Sequence, residues 1–250
     1  MRIHCLIKGL NSYFIYRLMT SNLLLQTQFS SENKYEIGID EAGRGPMFGR
    51  LYVAAVILPE GGLSHPGIKD SKKIKSKKKM REVSTFIKEH SYAWAIHYIE
   101  HDVIDDINIL QAVYKGMHEC IKSCIQKINV FQEKTCLLID GNSFKPFICF
   151  DPVEEHLFML PYETVEGGDG KYQSIAAASI LAKCARDDYI EEWCERYPEL
   201  KERYTLDKNM GYGTAAHFAG IREHGISQWH RRTFGLCKTA EYNPVPNTIT

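Results

Sequence analysis

The chain has 250 residues, of which 44% are hydrophobic and 25% are charged, and its 31 basic residues balance 31 acidic ones. A chain of this length and composition can bury a core of its own, which excludes a disordered, collagen-like or coiled-coil protein. No apolar run approaches the roughly 18 residues that a transmembrane helix needs. Because the net charge is zero, any preference for a charged partner must come from how the charges are distributed along the chain.

The first 33 residues differ from the rest of the chain. They contain three Lys or Arg residues and no acid before Glu32. A basic, acid-poor start is typical of a targeting peptide, but polar residues interrupt the apolar stretch and no small-residue cleavage site follows. We interpret residues 1–33 as an N-terminal extension with a short helix near Ser21–Phe29, and organelle import is the alternative.

Eight cysteines occur, and none of them forms a C-x-x-C pair. Several lie inside apolar stretches, such as Cys136 and Cys184. This pattern favours buried, reduced thiols in a cytoplasmic protein over a zinc site.

The following elements alternate along the chain. Short alternating or continuous apolar segments predict strands at Tyr35–Asp40, Leu51–Leu58, Tyr92–Ile99, Thr135–Asp140 and Glu163–Glu166. Longer segments predict a helix ending near Glu89, a helix through Ile104–Ile128 capped by Asp102, and a helix over Tyr172–Arg196 before Pro198. Such a chain is an α/β protein with a mixed sheet and covering helices. The segment Tyr197–Cys237 is predicted to form helices and loops, and the final thirteen residues are predicted to form a tail.

A dense basic run occupies Lys69–Arg81, with eight basic residues and one acid. Such a run is either a solvated helix face or a patch that faces phosphates, and the two interpretations remain open at this point.

Carboxylates follow two predicted strands and one glycine-rich loop. Asp40 and Glu41 end the first strand, Asp140 ends another, and Asp169 lies in the loop Gly167–Gly170. Residues beyond the carboxyl ends of neighbouring strands converge in α/β sheets. Four carboxylates in one crevice need a cation, and oxygen ligands favour Mg²⁺ or Mn²⁺. Isolated surface acids are the alternative.

The residues around these acids form seven blocks: DEAGRG at 40–45, DSKK at 70–73, NILQA at 108–112, IDG at 139–141, GDGKYQSIAAASILAKCAR at 168–186, NMGYGT at 209–214 and HRRTF at 230–234. In this order and spacing the chain resembles the type 2 ribonuclease H family, of the bacterial ribonuclease HII kind, from about Tyr35 to Cys237. The resemblance implies a ribonuclease H-like mixed β-sheet flanked by helices, with a C-terminal helical extension. The implied organisation is a catalytic domain at 34–196, a substrate-binding extension at 197–237 and a tail at 238–250.

The resemblance also implies roles for individual residues. The catalytic and metal-binding acids correspond to Asp40, Glu41, Asp140 and Asp169, which together would hold two Mg²⁺ or Mn²⁺ ions. The substrate-binding residues correspond to Gly43, Arg44 and Gly45, whose backbone contacts the ribonucleotide and its 2′-hydroxyl, to Tyr212, which packs on the neighbouring deoxyribose, and to Lys72 and Lys73, which contact backbone phosphates.

Six further positions are interpreted beside these blocks. Asp187 is expected to form a structural pair on its helix face that holds the C-terminal extension. The histidines of the C-terminal region, His217, His224 and His230, are expected to cap helices or face phosphates. Two positions depart from the family pattern: Arg50 stands where many relatives have proline, and Met210 stands where lysine is frequent.

The expected function is endonucleolytic cleavage of the RNA strand of RNA–DNA hybrids and nicking on the 5′ side of ribonucleotides embedded in duplex DNA, by two-metal-ion hydrolysis. The expected partners are those nucleic acids, with no membrane, and the protein is expected to be a monomer. The alternative is a non-catalytic hybrid-binding module with vestigial acids. The related type 3 enzymes are disfavoured because 33 residues are too few for their N-terminal domain.

Overall fold

The computed structural model describes residues 25–68, 71, 74 and 76–246. Its strands are β1 (Tyr35–Ala42), β2 (Leu51–Ile57), β3 (Ala93–Ile99), β4 (Thr135–Asp140), β5 (Ile148–Asp151), β6 (His156–Met159) and β7 (Tyr162–Val165). Its helices are α1 (Lys77–His90), α2 (His101–Ile107), α3 (Ile109–Ile125), α4 (Gln173–Arg196), α5 (Glu199–Tyr204), α6 (Leu206–Asn209) and α7 (Ala215–His224). Short 3-10 turns occupy Gly168–Gly170 and Gly235–Lys238.

The main sheet is mixed, as the sequence predicts. Its strand order is β3-β2-β1-β4-β7, with β1, β2 and β3 forming an antiparallel meander. Strand β4 runs parallel to β1, and β7 runs parallel to β4. Strand β1 therefore lies at the centre of the sheet, with an antiparallel half on one side and a parallel half on the other.

Helices cover both faces of this sheet. Both faces can be buried because successive side chains along β1 and β2 point to opposite faces and are apolar on each. Ile37 and Ile39 of β1 belong to the core under α3, whereas Ala54 and Val56 of β2 belong to the core under α1 and α4. Gly38 of β1 faces α4, and a Cβ built on it would lie 2.2 Å from the backbone carbon of Ser174. The missing side chain thus lets α4 approach the central strand.

The long helix expected over Ile104–Ile128 is in fact two helices, so that prediction is wrong. Asn108 separates α2 from α3 with a positive φ of 65°. Its side chain accepts hydrogen bonds from the N–H groups of Leu110 and Gln111, which caps α3. Asp102, the expected cap, lies instead in the first turn of α2, which begins after Glu100.

Two other local predictions need correction. The part of the expected N-terminal helix that is described, residues 25–29, is not helical; Gln26 forms a β-bridge with Tyr172, and residues 21–24 lie outside the described residues. The hairpin of β5 and β6 has no counterpart in the sequence-based prediction. One face of the hairpin carries the exposed apolar side chains of Ile148, Phe150, Leu157 and Met159. This pattern is unusual, because hydrophobic alternation predicts that the apolar face of a strand is buried.

The C-terminal region forms short helices and turns, as predicted. It shares a buried cluster with Phe48 and Tyr52 of the sheet region. Part of the segment expected to be a tail is tied to it, since Tyr242 bridges Ile226 and the side chain of Val245 is buried. No helix within the described residues is both long and apolar enough to cross a bilayer.

Candidate active site

The topology brings three of the predicted acids to one edge of the sheet. Ile39 of β1 pairs with Ile139 of β4 in parallel register, so Asp40 and Asp140 follow side by side. Glu41 comes next on β1. This convergence at the carboxyl end of two parallel strands is the one that the sequence predicts.

The fourth acid reaches the same edge through the turn after β7. Asp140 pairs with Val165, the last residue of β7. The N–H of Gly168 then donates a hydrogen bond to Oδ1 of Asp140 at 2.7 Å. Asp169, the next residue, is only 6% exposed. The 168–170 turn is therefore fastened to Asp140, which brings Asp169 to the acidic edge.

Mutual repulsion shows that the carboxyl groups of Asp40, Glu41 and Asp140 share one environment. Burial is the largest factor that raises the pKa of Asp40, followed by the negative charges of Asp140 and Glu41. Hydrogen bonds from the Ser179 hydroxyl and the Glu41 N–H oppose this rise. The pKa of Glu41 is also raised, first by burial, while nearby Arg44 lowers it and Asp140 raises it.

The donor set fits a hard divalent cation. All four side chains offer carboxylate oxygens, which Mg²⁺ and Mn²⁺ prefer. A cation between them would relieve both the repulsion and the burial cost that raise the pKa of Asp40. Within the described part of the chain, no three of the His, Cys, Asp or Glu side chains are already gathered tightly enough to hold one ion. The acids thus adjoin one another without closing on a single point.

The predicted substrate-binding turn and Tyr212 lie against each other. A Cβ built on Gly45 would lie 3.7 Å from Cε1 of Tyr212, whose side chain is 47% exposed. The N–H of Met47 donates to the carbonyl of Gly211 at 2.9 Å, which ties the two segments together. Gly43 adopts φ 95°, a conformation that favours glycine.

Arg186 lies directly beneath this surface, and the sequence analysis assigned it no role. Its guanidinium carbon is 5.4 Å from the centre of the Tyr212 ring, and its Nη2 donates to the carbonyl of Met210 at 2.7 Å. A Cβ on Gly43 would come within 2.4 Å of its Nε. Its position beside the acid Asp187 in a helix otherwise rich in small apolar residues was the only signal in the sequence.

The histidine prediction is wrong for two of the three residues. His217 and His230 are completely buried, so neither faces phosphates, and their rings contact each other, the Tyr212 carbonyl and the Ser227 N–H and cap no helix within the described chain. Their Nε2 atoms lie 3.0 Å apart, and Nδ1 of His217 lies 3.0 Å from the carbonyl oxygen of Tyr212. Because the Ser227 N–H donates to Nδ1 of His230, the Nε2–H of His230 donates to His217, and the Nδ1–H of His217 donates to Tyr212. Burial lowers the pKa of both imidazoles, which keeps this chain neutral.

The basic run is only partly described, and Lys72 and Lys73 lie outside the described residues. Further along the run, Lys77 and Arg81 form ion pairs with Glu191 of α4. At its start, the buried hydroxyl of Ser71 lies 3.0 Å from that of Ser179, the residue that also bonds Asp40. Part of the run is thus anchored on α4.

Two remaining predicted positions have local partners. Asp187 forms a helix-face pair with Lys183 at 3.0 Å, within α4 itself. Arg50, the departure from the family pattern, bonds Glu100 and lies over the ring of Tyr98 at 4.0 Å. Arg50 therefore stabilises the start of β2 against the end of β3.

A family model described as Ribonuclease HII matches residues 37–237 of the chain. The chain belongs to the ribonuclease HII family. The ribonuclease HII of Chlorobium luteolum is 42% identical over 208 residues, which cover 82% of this chain and 90% of that protein. The ribonuclease HII of Parabacteroides distasonis is also 42% identical over 208 residues, covering 83% and 94%.

Solved structures show the same fold. The ribonuclease H2 of Pyrococcus horikoshii OT3 aligns with a TM-score of 0.57 at 20% identity, over 82% of this chain and 95% of that one. A structure of the PCNA:RNase HII complex from Archaeoglobus fulgidus aligns with a TM-score of 0.57 at 24% identity, over 81% and 96%. Bst-RNase HIII in complex with Mn²⁺ aligns with a TM-score of 0.55 at 18% identity, over 78% of this chain and 64% of that one. At these identities the likeness establishes the mixed sheet with flanking helices and no more.

Proposed function

We propose that the protein is an endoribonuclease that hydrolyses the RNA strand of RNA–DNA hybrids and nicks duplex DNA on the 5′ side of embedded ribonucleotides. The observation that carries this proposal is the pairing of β1 with β4, which sets Asp40 and Asp140 side by side at the sheet edge. Membership of the ribonuclease HII family supports it independently.

Asp40, Glu41, Asp140 and Asp169 would hold two divalent cations, Mg²⁺ or Mn²⁺. The Mn²⁺ complex of the ribonuclease HIII relative supports this choice of metal. When bound, such ions supply an activated water and stabilise the oxygens of a displaced phosphodiester. The chain itself fixes the carboxylates: the Gly168 N–H orients Asp140, and the Ser179 hydroxyl and Glu41 N–H orient Asp40.

In the proposed reaction, water attacks the phosphorus on the 5′ side of the ribonucleotide and the bond to the 3′-oxygen of the preceding nucleotide breaks. The products carry a 3′-hydroxyl and a 5′-phosphate. The backbone of Gly43, Arg44 and Gly45 recognises the 2′-hydroxyl, since that group separates RNA from DNA at a given position. Tyr212, which is half exposed beside Gly45, packs on the adjacent deoxyribose.

In this proposal, the catalytic and the substrate-binding residues come from consecutive segments of the chain. Residues 34–196 supply the acids, and residues 197–237 supply Tyr212 and the packing beneath it as a substrate-binding extension. A buried cluster joins this extension to Phe48, which supports a fixed position of the substrate-binding Tyr212 relative to the four acids. Lys72 and Lys73 are proposed to contact backbone phosphates.

The test is nicking of a DNA duplex that carries one ribonucleotide, with Mg²⁺ or Mn²⁺ and with EDTA. Asp40→Asn should reduce nicking by at least about a hundredfold, because it removes a ligand charge without changing the size of the side chain. Asp106→Asn, an exposed acid on α2, is the matched control and should nick normally. Undiminished nicking by Asp40→Asn would contradict the assigned role of Asp40. Salt-sensitive hybrid binding without metal-dependent nicking would identify the non-catalytic module instead.

A further inference from the structure

Arg231 is a completely buried arginine that holds the turn at residues 43–45 from inside the molecule. Its Nη2 donates to the carbonyl of Gly43 at 2.7 Å and its Nη1 to the carbonyl of Arg44 at 3.2 Å. Its Nε donates to the carbonyl of Gly49 at 2.9 Å. One planar guanidinium therefore binds three main-chain oxygens at once, a geometry that the single ammonium of lysine does not reproduce.

The peptide geometry converts these contacts into a direction for the opposite groups. No cis peptide bond occurs in the described chain, and in a trans peptide the C=O and the following N–H point in opposite directions. Because the carbonyls of Gly43 and Arg44 point inward to Arg231, the N–H groups of Arg44 and Gly45 point away from it.

These two N–H groups face the exposed side of the turn. Arg44 and Gly45 are both exposed, whereas Gly43 is buried. Among the residues that the structure covers, neither N–H has a hydrogen-bond acceptor. Consecutive N–H groups that point out of a turn form a concave donor site for an anion or a hydroxyl oxygen.

Within the described residues, the hydrogen bonds of the Arg231 guanidinium go to main-chain carbonyl oxygens and none goes to a carboxylate, so its positive charge is not neutralised there. Burial and the neighbouring Arg186 lower the pKa of Arg231 to about 9, while Asp105 opposes this shift. A guanidinium with this pKa is still protonated at neutral pH. Its charge therefore adds to the partial positive charge of the outward N–H groups.

We propose that Arg231 is a positioning residue for ribonucleotide recognition, which aims the N–H groups of Arg44 and Gly45 at the 2′-hydroxyl oxygen of the ribonucleotide. This inference rests on the proposed function. It assigns to Arg231 the preference for a ribonucleotide over a deoxyribonucleotide, and no part of the bond cleavage.

The experiment compares the affinity for two duplexes of identical sequence, one all DNA and one with a single ribonucleotide. Both are measured with Mg²⁺ on an Asp140→Asn background, so that no strand is cut. Arg231→Lys keeps the charge but loses the fork, and should reduce the preference for the ribonucleotide about tenfold while leaving the Kd for the all-DNA duplex unchanged. Arg232→Lys is the matched control, since Arg232 is adjacent, exposed and over the ring of Tyr242, and should keep the full preference.

Equal weakening on both duplexes, or an unchanged preference in Arg231→Lys, would overturn the inference. If the Asp140→Asn protein itself does not prefer the ribonucleotide, the proposed recognition of the ribonucleotide by the turn fails, and the inference about Arg231 fails with it. A second measurement does not depend on the folding of the variant. In the unmodified protein with EDTA in place of Mg²⁺, so that no strand is cut, the amides of Arg44 and Gly45 should exchange hydrogen rapidly. They should become protected by the ribonucleotide duplex and not by the all-DNA duplex. Protection in the free protein would refute the outward orientation.

Discussion

Replacing Gly38 by alanine should destabilise the protein through a single methyl group. The added Cβ would lie 2.2 Å from the carbonyl carbon of Ser174 and 2.5 Å from the nitrogen of Ile175. Both atoms belong to the backbone of α4, so they cannot move aside as a side-chain tip could. Helix α4 must retreat from β1 by about 1 Å, and overpacking of this kind costs up to about 3 kcal/mol. Alanine is less flexible than glycine in the unfolded chain, and this difference offsets about 0.5–1 kcal/mol of that loss in the free energy of unfolding.

The expected net loss is therefore about 2 kcal/mol, which in a chain of this size lowers Tm by about 4–8 °C. Gly170→Ala is the matched control, because nothing lies within 4 Å of its Cβ and its φ is not in the left-handed region. Thermal unfolding of both variants decides the matter. Nicking should also fall about tenfold in Gly38→Ala, since α4 carries Ser179, which bonds Asp40. A Tm within 1 °C of the unmodified protein would refute the close approach of α4 to β1.

Three further predictions concern the cap at Asn108, the buried histidine pair and the exposed Tyr212. Asn108→Ala should cost about 1–2 kcal/mol in denaturant unfolding because it removes the cap of α3 and strains a positive φ, whereas Asn108→Gly should cost less; equal losses would contradict the positive φ. Burial lowers the pKa of His217 and His230, so the unfolded chain binds more protons than the folded protein at acidic pH. The free energy of unfolding should therefore decrease as the pH falls below about 6.5, by up to about 1.4 kcal/mol per histidine for each pH unit. His217→Gln should flatten this slope, and an unchanged slope would exclude the histidine pair as its source. Tyr212→Ala should lower nicking at a single ribonucleotide more than it lowers metal affinity measured by calorimetry, and a parallel loss of metal affinity would mean that Tyr212 supports the acids instead.

The sequence predicts the sheet well because its signals are local and repeated. Alternation in Tyr35–Asp40 and the continuous apolar run from Leu51 identify two neighbouring strands within two residues of their observed bounds. Carboxylates at strand ends then place Asp40 and Asp140 at one edge, which the parallel register confirms. The glycine-rich loop likewise predicts that Asp169 lies in a turn before a helix, and the structure has a 3-10 turn at Gly168–Gly170 before α4.

Other features depend on interactions that no local pattern records. The periodic apolar residues from Ile104 onward fit one long helix, and only the positive φ and capping side chain of Asn108 divide it. Arg186 and Arg231 look like surface residues by composition, yet both are buried, because their donors satisfy carbonyls of distant turns. The burial of His217 and His230 similarly follows from their contact with each other, thirteen residues apart.

The pairing of β1 with β4 also sets when the protein acquires its chemistry during synthesis. The acids that meet at this edge are separated by one hundred residues between Asp40 and Asp140, and Asp169 follows later still. Contacts of such long sequence separation form late in folding. A nascent chain still on the ribosome therefore carries its first two acids without their partners, and under the proposed function it would cleave nucleic acid only after the segment through Asp169 has emerged and folded.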